Sequence, residues 1–190
     1  IVISKSIYLY HMVQLIKLGN RAMLMVLNFF LRNPSNKISY TKLCKRLKIS
    51  KATLAKHLSF LLKEGFIKVE RIGLNKLYEL NKENTVVKHF KILGNLLVLS
   101  DAKALCKKYA IEIYIYGSAA RGEDIENSDI DLLVMGKISK EQIFPDISTV
   151  SKQIGKKIKF IIFSPFEWSQ ISRKDFPFYE RVEKDKIRLC

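Results

Sequence analysis

The stretch YIYGSAARGEDIENSDIDLLV, residues 114–134, constrains the fold more than any other part of the chain. Apolar and β-branched residues alternate over residues 111–116, which predicts a short buried strand that ends at Gly117-Ser118. A second apolar run at residues 130–135 predicts another strand. A sheet that contains both of these strands is therefore predicted in the C-terminal half of the chain.

Two acidic residues, Asp129 and Asp131, open the second strand. Side chains alternate across a strand, so the two carboxylates are expected on one face, with Ile130 and Leu132 on the other. Paired carboxylates are oxygen ligands suited to Mg²⁺. Gly117 has no Cβ and lets backbone approach phosphate oxygens, while Ser118 adds a hydroxyl and an N–H at a predicted helix start.

This pattern resembles the minimal nucleotidyltransferases of the DNA polymerase β superfamily, whose motif is Gly-Ser, about ten residues and Asp-x-Asp. The matching residues are Gly117, Ser118, Arg121, Gly122, Ser128, Asp129 and Asp131. The resemblance implies a mixed sheet with helices on one face, and transfer of a nucleoside monophosphate from a Mg-NTP to a hydroxyl. It makes Asp129 and Asp131 the catalytic and metal-binding residues, and Gly117, Ser118 and Arg121 the nucleotide-binding ones. For Arg121, a solvated loop position is the alternative.

The family's third carboxylate is missing from the strand predicted at residues 157–163. No Asp or Glu occurs between Asp146 and Glu167, and the family pattern puts Lys159 at that position. An ammonium there is expected to lie near the aspartates and to repel a second metal ion. Two functions therefore remain open, a nucleotidyltransferase and a transcriptional regulator whose degenerate domain serves as a nucleotide sensor or dimerisation module.

The N-terminal half carries most of the net charge of +16, since residues 1–83 have 16 Lys and Arg against 4 Glu. Such asymmetry favours a phosphate-rich partner, with a Lys-rich surface as the alternative. Three helices are predicted here, at residues 21–31, 40–48 and 51–64. Ser39 and Ser50 are the expected caps of the second and third helices, and Gly65 is the stop of the third.

Two alternating runs, residues 66–70 and 76–80, follow and predict a β-hairpin. The arrangement resembles a winged helix-turn-helix of the repressor type over about residues 20–82, which implies DNA as the partner. The residues expected to contact DNA are Lys51, Thr53, Lys56 and His57 on the third helix, and Arg71 and Lys76 on the hairpin. A winged helix used for protein contacts is the alternative.

The predicted fold class is thus α/β (α+β), divided into a leading segment at 1–19, a winged helix-turn-helix domain at 20–83, a helical connector at 84–109 and a nucleotidyltransferase-like domain at 110–190. The connector is expected either to form a homodimer surface or to cover the C-terminal domain. A helix at 139–153 is predicted to break or begin late near Pro145. Three scattered cysteines predict free thiols, and without a membrane span the protein is expected in the cytoplasm.

Overall fold

A computed structural model describes residues 19–73 and 75–190. The predicted leading segment lies almost wholly outside the described residues. The chain divides into two compact units, Ile1–Asn84 and Thr85–Cys190. None of the helices in the described part is long and apolar enough to cross a membrane.

The first unit combines three helices with a small antiparallel sheet. The helices are α1 (Arg21–Arg32), α2 (Tyr40–Leu47) and α3 (Lys51–Lys63), and the strands are β1 (Ile38–Ser39), β2 (Ile67–Ile72) and β3 (Asn75–Leu80). The sheet order is β1-β3-β2, with β2 and β3 forming the predicted hairpin. The predicted helices and hairpin are confirmed, and β1 is an addition that the sequence did not indicate.

Local sequence explains the helix ends of this unit. The Asn20 side chain accepts hydrogen bonds from the first turn of α1, and the Ser50 hydroxyl accepts one from the Thr53 N–H at the start of α3. Gly65 takes a φ of +67° just after α3, as a C-terminal glycine stop requires. Ser39 is the N-cap residue of α2, but its side chain makes no capping bond.

The second unit is a four-stranded mixed sheet with helices. Its helices are α4 (Thr85–Val98), α5 (Lys103–Tyr109), α6 (Lys140–Ile154), α7 (Pro165–Lys174) and α8 (Phe176–Asp185). Its strands are β4 (Glu112–Tyr116), β5 (Ile130–Met135), β6 (Ile158–Phe163) and β7 (Ile187–Arg188). The order is β6-β5-β4-β7, with β5 and β6 parallel and β4 antiparallel to both of its neighbours.

Helices cover both faces of this sheet, so the expectation of helices on one face is wrong. On one face Leu132 packs in a cluster with Ile143 and Ile147 of α6, and on the other Leu133 packs with Trp168 of α7 and Val182 of α8. The cause lies in β5, where consecutive residues from Leu132 to Val134 are all fully buried. A strand that is apolar on both faces needs cover on both.

Two further expectations about this unit are wrong. Helix α6 runs through Pro145 without a break and begins with a capping box between Ser139 and Gln142. Pro145 has no N–H to donate to the carbonyl of Glu141. The loss costs little because Glu141 is exposed and water can donate to that carbonyl instead. The cysteines are not all free thiols, because Cys106 and Cys190 form a disulfide with their Cα atoms 6.4 Å apart.

Candidate nucleotide site and nucleic-acid interface

The two aspartates lie where β5 begins, beside both neighbouring strands. Asp129 immediately precedes β5, and Asp131 is its second residue. In the sheet register Asp131 lies opposite Tyr116 on β4 and opposite Lys159 on β6. Partners in register point to the same face of a sheet, so the lysine and the aspartate share one surface.

Lys159 makes a salt bridge with Asp129, its Nζ lying 2.8 Å from Oδ2. The predicted proximity of this lysine to the aspartates is therefore confirmed. The hydrogen bond from Lys159 lowers the pKa of Asp129, and the same bond raises the pKa of Lys159. Burial raises the pKa of Asp131, the charge of Lys159 opposes that rise and the charge of Asp129 adds to it.

Gly117 lies directly against the second aspartate. A Cβ at this position would lie 3.0 Å from Oδ2 of Asp131, and the backbone has a φ of +73°, so a side chain is disfavoured on both counts. Ser118 sits in a 3₁₀ turn, Gly117–Ala119, and not at the start of an α-helix as predicted. The N–H groups of Ala120 and Arg121 are already bonded to the Gly117 carbonyl.

A buried charge cluster holds the loop between Ser118 and Asp129. Asp124 is only 4% exposed, and its carboxylate lies 3.2 Å from the Lys91 ammonium of α4 and 2.8 Å from the Lys156 ammonium. Asn95 donates to the same carboxylate and to the Ala119 carbonyl. Burial by itself raises the pKa of Asp124, but the bond from Lys156, the charge of Lys91 and the bond from Asn95 together hold it below its ordinary value.

The loop also touches α4 through its glycine. A Cβ on Gly122 would lie 2.2 Å from the carbonyl oxygen of Lys88, so only glycine fits this contact. The neighbouring Arg121 donates to Glu123 at 2.8 Å and pairs with Asp185 of α8. Its guanidinium is thus committed to two carboxylates of the protein itself.

Sequence reasoning missed Asp124, Lys91 and Asn95. One signal was present, because Lys91 follows the buried Val87 by four residues on α4 and so occupies a core position of that helix. A lysine at such a position needs a buried partner, and Asp124 is that partner.

The acidic residues do not fit the pair of metal ions that the resemblance implies. No group of three or more His, Cys, Asp or Glu side chains that could hold a metal ion occurs among residues 19–73 and 75–190. Asp129 and Asp131 supply carboxylates at the site, and Lys159 brings a positive charge onto one of them. Two metal ions held between protein acids require more negative charge than this.

In the first unit, α3 presents a basic surface. Lys51 and Lys56 are exposed, and α3 contains no acidic residue between Lys51 and Lys63. The positive end of the helix dipole lies at the same N-terminal turn as Lys51. The Thr53 hydroxyl, which was predicted to contact DNA, lies 2.8 Å from the Ser50 hydroxyl.

His57 was expected to contact DNA, but it does not belong to this exposed surface. The side chain is buried with a relative exposure of 6%, and its Nδ1 has no hydrogen-bond partner in the described structure. Burial, followed by the charge of Lys56, lowers the pKa of His57. The residue follows Leu54 by three positions and precedes Leu61 by four, so it lies on the apolar face of α3.

The wing carries a second basic site. Arg71 and Lys76 lie directly opposite one another in the β2–β3 ladder, and both are exposed. Like charges facing each other across two strands are destabilising, and a bound anion relieves that repulsion. This placement agrees with the wing position that the sequence predicted for both residues.

Comparison with known proteins agrees with the two units. Residues 102–189 match the family model described as "Nucleotidyltransferase domain", and residues 20–68 match the one described as "Winged helix-turn-helix DNA-binding". The chain therefore joins a winged helix-turn-helix domain to a nucleotidyltransferase domain. No protein of curated function matches the sequence.

Three solved structures show partial similarity. Reduced HlyU from Vibrio cholerae is 28% identical over 41% of this chain and 78% of its own, with a TM-score of 0.35. Rv0081 from M. tuberculosis is 15% identical over 55% and 98%, with a TM-score of 0.42. A protein described as a candidate nucleotidyltransferase from Sulfolobus solfataricus is 24% identical over 57% and 88%, with a TM-score of 0.34. These TM-scores are low, so the assignment rests on the two family matches.

Proposed function

We propose that this protein is a DNA-binding transcriptional regulator whose nucleotidyltransferase domain binds nucleoside triphosphate as a sensor and does not transfer it. The observation that carries this proposal is the salt bridge between Lys159 and Asp129, 2.8 Å long, at the place where the family pattern puts a third acid. Because the proposed partner is DNA, we place the protein in the cytoplasm.

The charge arrangement supports binding more than chemistry. Two-metal catalysis needs carboxylates to hold the ion that activates the attacking hydroxyl, and the ammonium of Lys159 repels that ion. The Lys159 side chain is 59% exposed, and exposed pairs of this kind contribute little to stability. A triphosphate can therefore draw the lysine away from Asp129 at little cost.

The nucleotide would lie with its phosphates against Gly117, Ser118 and Lys159. Mg²⁺ would enter only together with the nucleotide, held by the oxygens of Asp129, Asp131 and the phosphates. The protein supplies positioning and charge neutralisation in this arrangement. Binding then registers the level of nucleoside triphosphate.

Nucleotidyl transfer remains the second candidate function because the two aspartates and Gly117-Ser118 are retained in the family's arrangement. Transfer would move a nucleoside monophosphate to a hydroxyl acceptor and release pyrophosphate. In that case the two carboxylates would suffice, or another group would supply the missing ligand.

One set of variants separates the two functions. Calorimetry with Mg-NTPs should show binding to the wild type and strongly weakened binding to Asp131→Asn. Incubation with labelled NTPs, Mg²⁺ and cell extract should show no label transfer by the wild type and measurable transfer or hydrolysis by Lys159→Asp. If the wild type transfers label efficiently and Asp131→Asn does not, the protein is an enzyme and not a sensor.

DNA binding is tested on α3. The double variant Lys51→Ala/Lys56→Ala should weaken duplex binding and reduce the slope of log affinity against log salt by about one per phosphate contact removed. The double variant Lys103→Ala/Lys107→Ala removes the same charge from exposed positions on α5 and serves as the control. Equal losses in both variants would show that net charge, and not the α3 surface, determines binding.

A further inference from the structure

Among the described strands, β6 forms an unpaired edge of the sheet in the second unit. It is the outermost strand in the order β6-β5-β4-β7, and it pairs with β5 over six residues without a bulge. Its sequence, IKFIIF, contains no proline or glycine and one charge. The opposite edge, β7, has only two residues. Natural edges are usually kept short, charged or interrupted, and β6 has none of these protections beyond Lys159.

The backbone of β6 offers a row of hydrogen-bonding groups on its outer side. The carbonyls of Lys157 and Phe163 accept bonds from the β5 side. In a parallel ladder alternate residues bond to the same neighbour, so the N–H and C=O groups of Ile158, Phe160 and Ile162 point away from β5. Within the described residues no strand pairs with this side.

The surface beside this edge is open and has both apolar and polar side chains. Five of the six β6 residues are half-buried, whereas β5 beside it is mostly buried, so the side chains of β6 remain partly exposed at this edge. A groove of about 640 Å³ lies beside the second half of β6, and its lining includes Phe160, Ile162, Lys140 and Glu167. Phe166, next to Glu167, is 73% exposed.

We propose that β6 pairs antiparallel with β6 of a second copy of this chain, joining two four-stranded sheets into one of eight strands. Placing the two-fold axis at Phe160 pairs Phe160 with itself and Ile158 with Ile162. This register bonds every outward-facing backbone group of the three residues in both copies. An interface of this type continues the existing sheet and needs no change in its fold.

The charges of the strand fit this register. Lys159 lies opposite Ile161 of the second copy, so no two lysines are direct partners. The two Lys159 side chains are diagonal neighbours, and each is paired with Asp129 of its own chain. Lys157 of the second copy lies opposite Phe163, at the end of the groove that Glu167 borders. A positive charge from one copy thus approaches a negative charge of the other at both ends of the paired strands.

The test uses the full chain and single cysteines. Sedimentation should show a dimer for the wild type. Phe160→Cys should form a covalent dimer with a short thiol-to-thiol cross-linker, because hydrogen-bonded antiparallel partners have Cα atoms about 5.5 Å apart. Phe176→Cys, at a site 58% exposed and outside the strand, is the matched control, and Phe160→Cys should react about tenfold faster or more. The native cysteines give little background, since Cys44 is buried and the other two are bonded to each other.

A second pair of variants fixes the register and does not depend on how Phe160→Cys folds. A mixture of Ile158→Cys and Ile162→Cys should give the mixed covalent dimer, in excess of the products that either protein forms alone. A wild type that sediments as a monomer would overturn the proposal. So would a dimer in which neither Phe160→Cys nor the Ile158→Cys and Ile162→Cys mixture cross-links faster than Phe176→Cys, because that dimer would use another surface.

Discussion

Replacing Lys91 with methionine tests whether buried charge holds the loop between Ser118 and Asp129. The Lys91 side chain is 6% exposed, and its ammonium contacts both the carboxylate and the carbonyl of Asp124. Lys88→Met is the matched control on the same helix, one turn earlier. The Lys88 ammonium pairs with Glu123 at 3.1 Å, with the two side chains 32% and 42% exposed.

The structure sets different magnitudes for the two changes. Removing one partner of a buried ion pair costs about 3–5 kcal/mol, because the other charge stays buried. Lys156 and Asn95 remain bonded to Asp124, so we expect the low end, about 3 kcal/mol, for Lys91→Met. Exposed pairs are worth about 0.2–1 kcal/mol, which is the range expected for Lys88→Met.

Tryptophan fluorescence provides the assay for these two variants. Trp168 is the only tryptophan of the chain and lies buried in the second unit, so its emission reports unfolding of that unit. Urea titrations of the wild type and both variants should give equal slopes and different midpoints. If Lys91→Met costs no more than Lys88→Met, buried charge does not hold the loop.

Three other predictions concern the same unit. Gly122→Ala should destabilise it more than Gly155→Ala, measured by the same fluorescence, because both glycines have a φ of +67° and only Gly122 would bring a Cβ to 2.2 Å from a backbone oxygen. Because the pKa of Asp124 is lowered by folding, its contribution to stability is complete above the unfolded value, about 3.9, and is lost as the pH falls through the lower folded pKa. Urea midpoints should therefore fall less steeply below about pH 4 in Asp124→Asn than in the wild type. In Lys159→Ala the pKa of Asp129 should rise, which carboxyl NMR titration would show, whereas an unchanged pKa would mean that the salt bridge does not form in solution.

The strands that carry the site could be predicted because their signals are local. Alternation predicted the first strand of the motif, an apolar run predicted the second, and the family pattern placed Lys159 beside the aspartates. The cover on the second sheet face was also visible in principle, since Leu132, Leu133 and Val134 form an unbroken apolar run. The expectation of helices on one face was wrong because it followed the family resemblance and not the apolar pattern of the strand itself.

Polar residues inside the core were harder to predict. The burial of His57 follows from its helical spacing to Leu54 and Leu61, yet its chemistry suggested a role on the DNA surface. Asp124 and Lys91 lie far apart in sequence, and only the folded chain brings them together. Their pairing depends on tertiary structure, which composition and periodicity do not contain.

The anchoring of the loop through Asp124 has a consequence for how this domain can change over evolutionary time. Asp124 and its partners, which hold the loop between Ser118 and Asp129, also stabilise the unit. Selection for folding alone therefore preserves them even where catalysis is no longer selected. Lys159, exposed at the strand end, is free of that constraint. A single exposed substitution can therefore abolish catalysis while the loop between Ser118 and Asp129 keeps its structure. A loop that is held in place before a ligand binds adds no large ordering cost to binding, which is what the proposed nucleotide sensor requires.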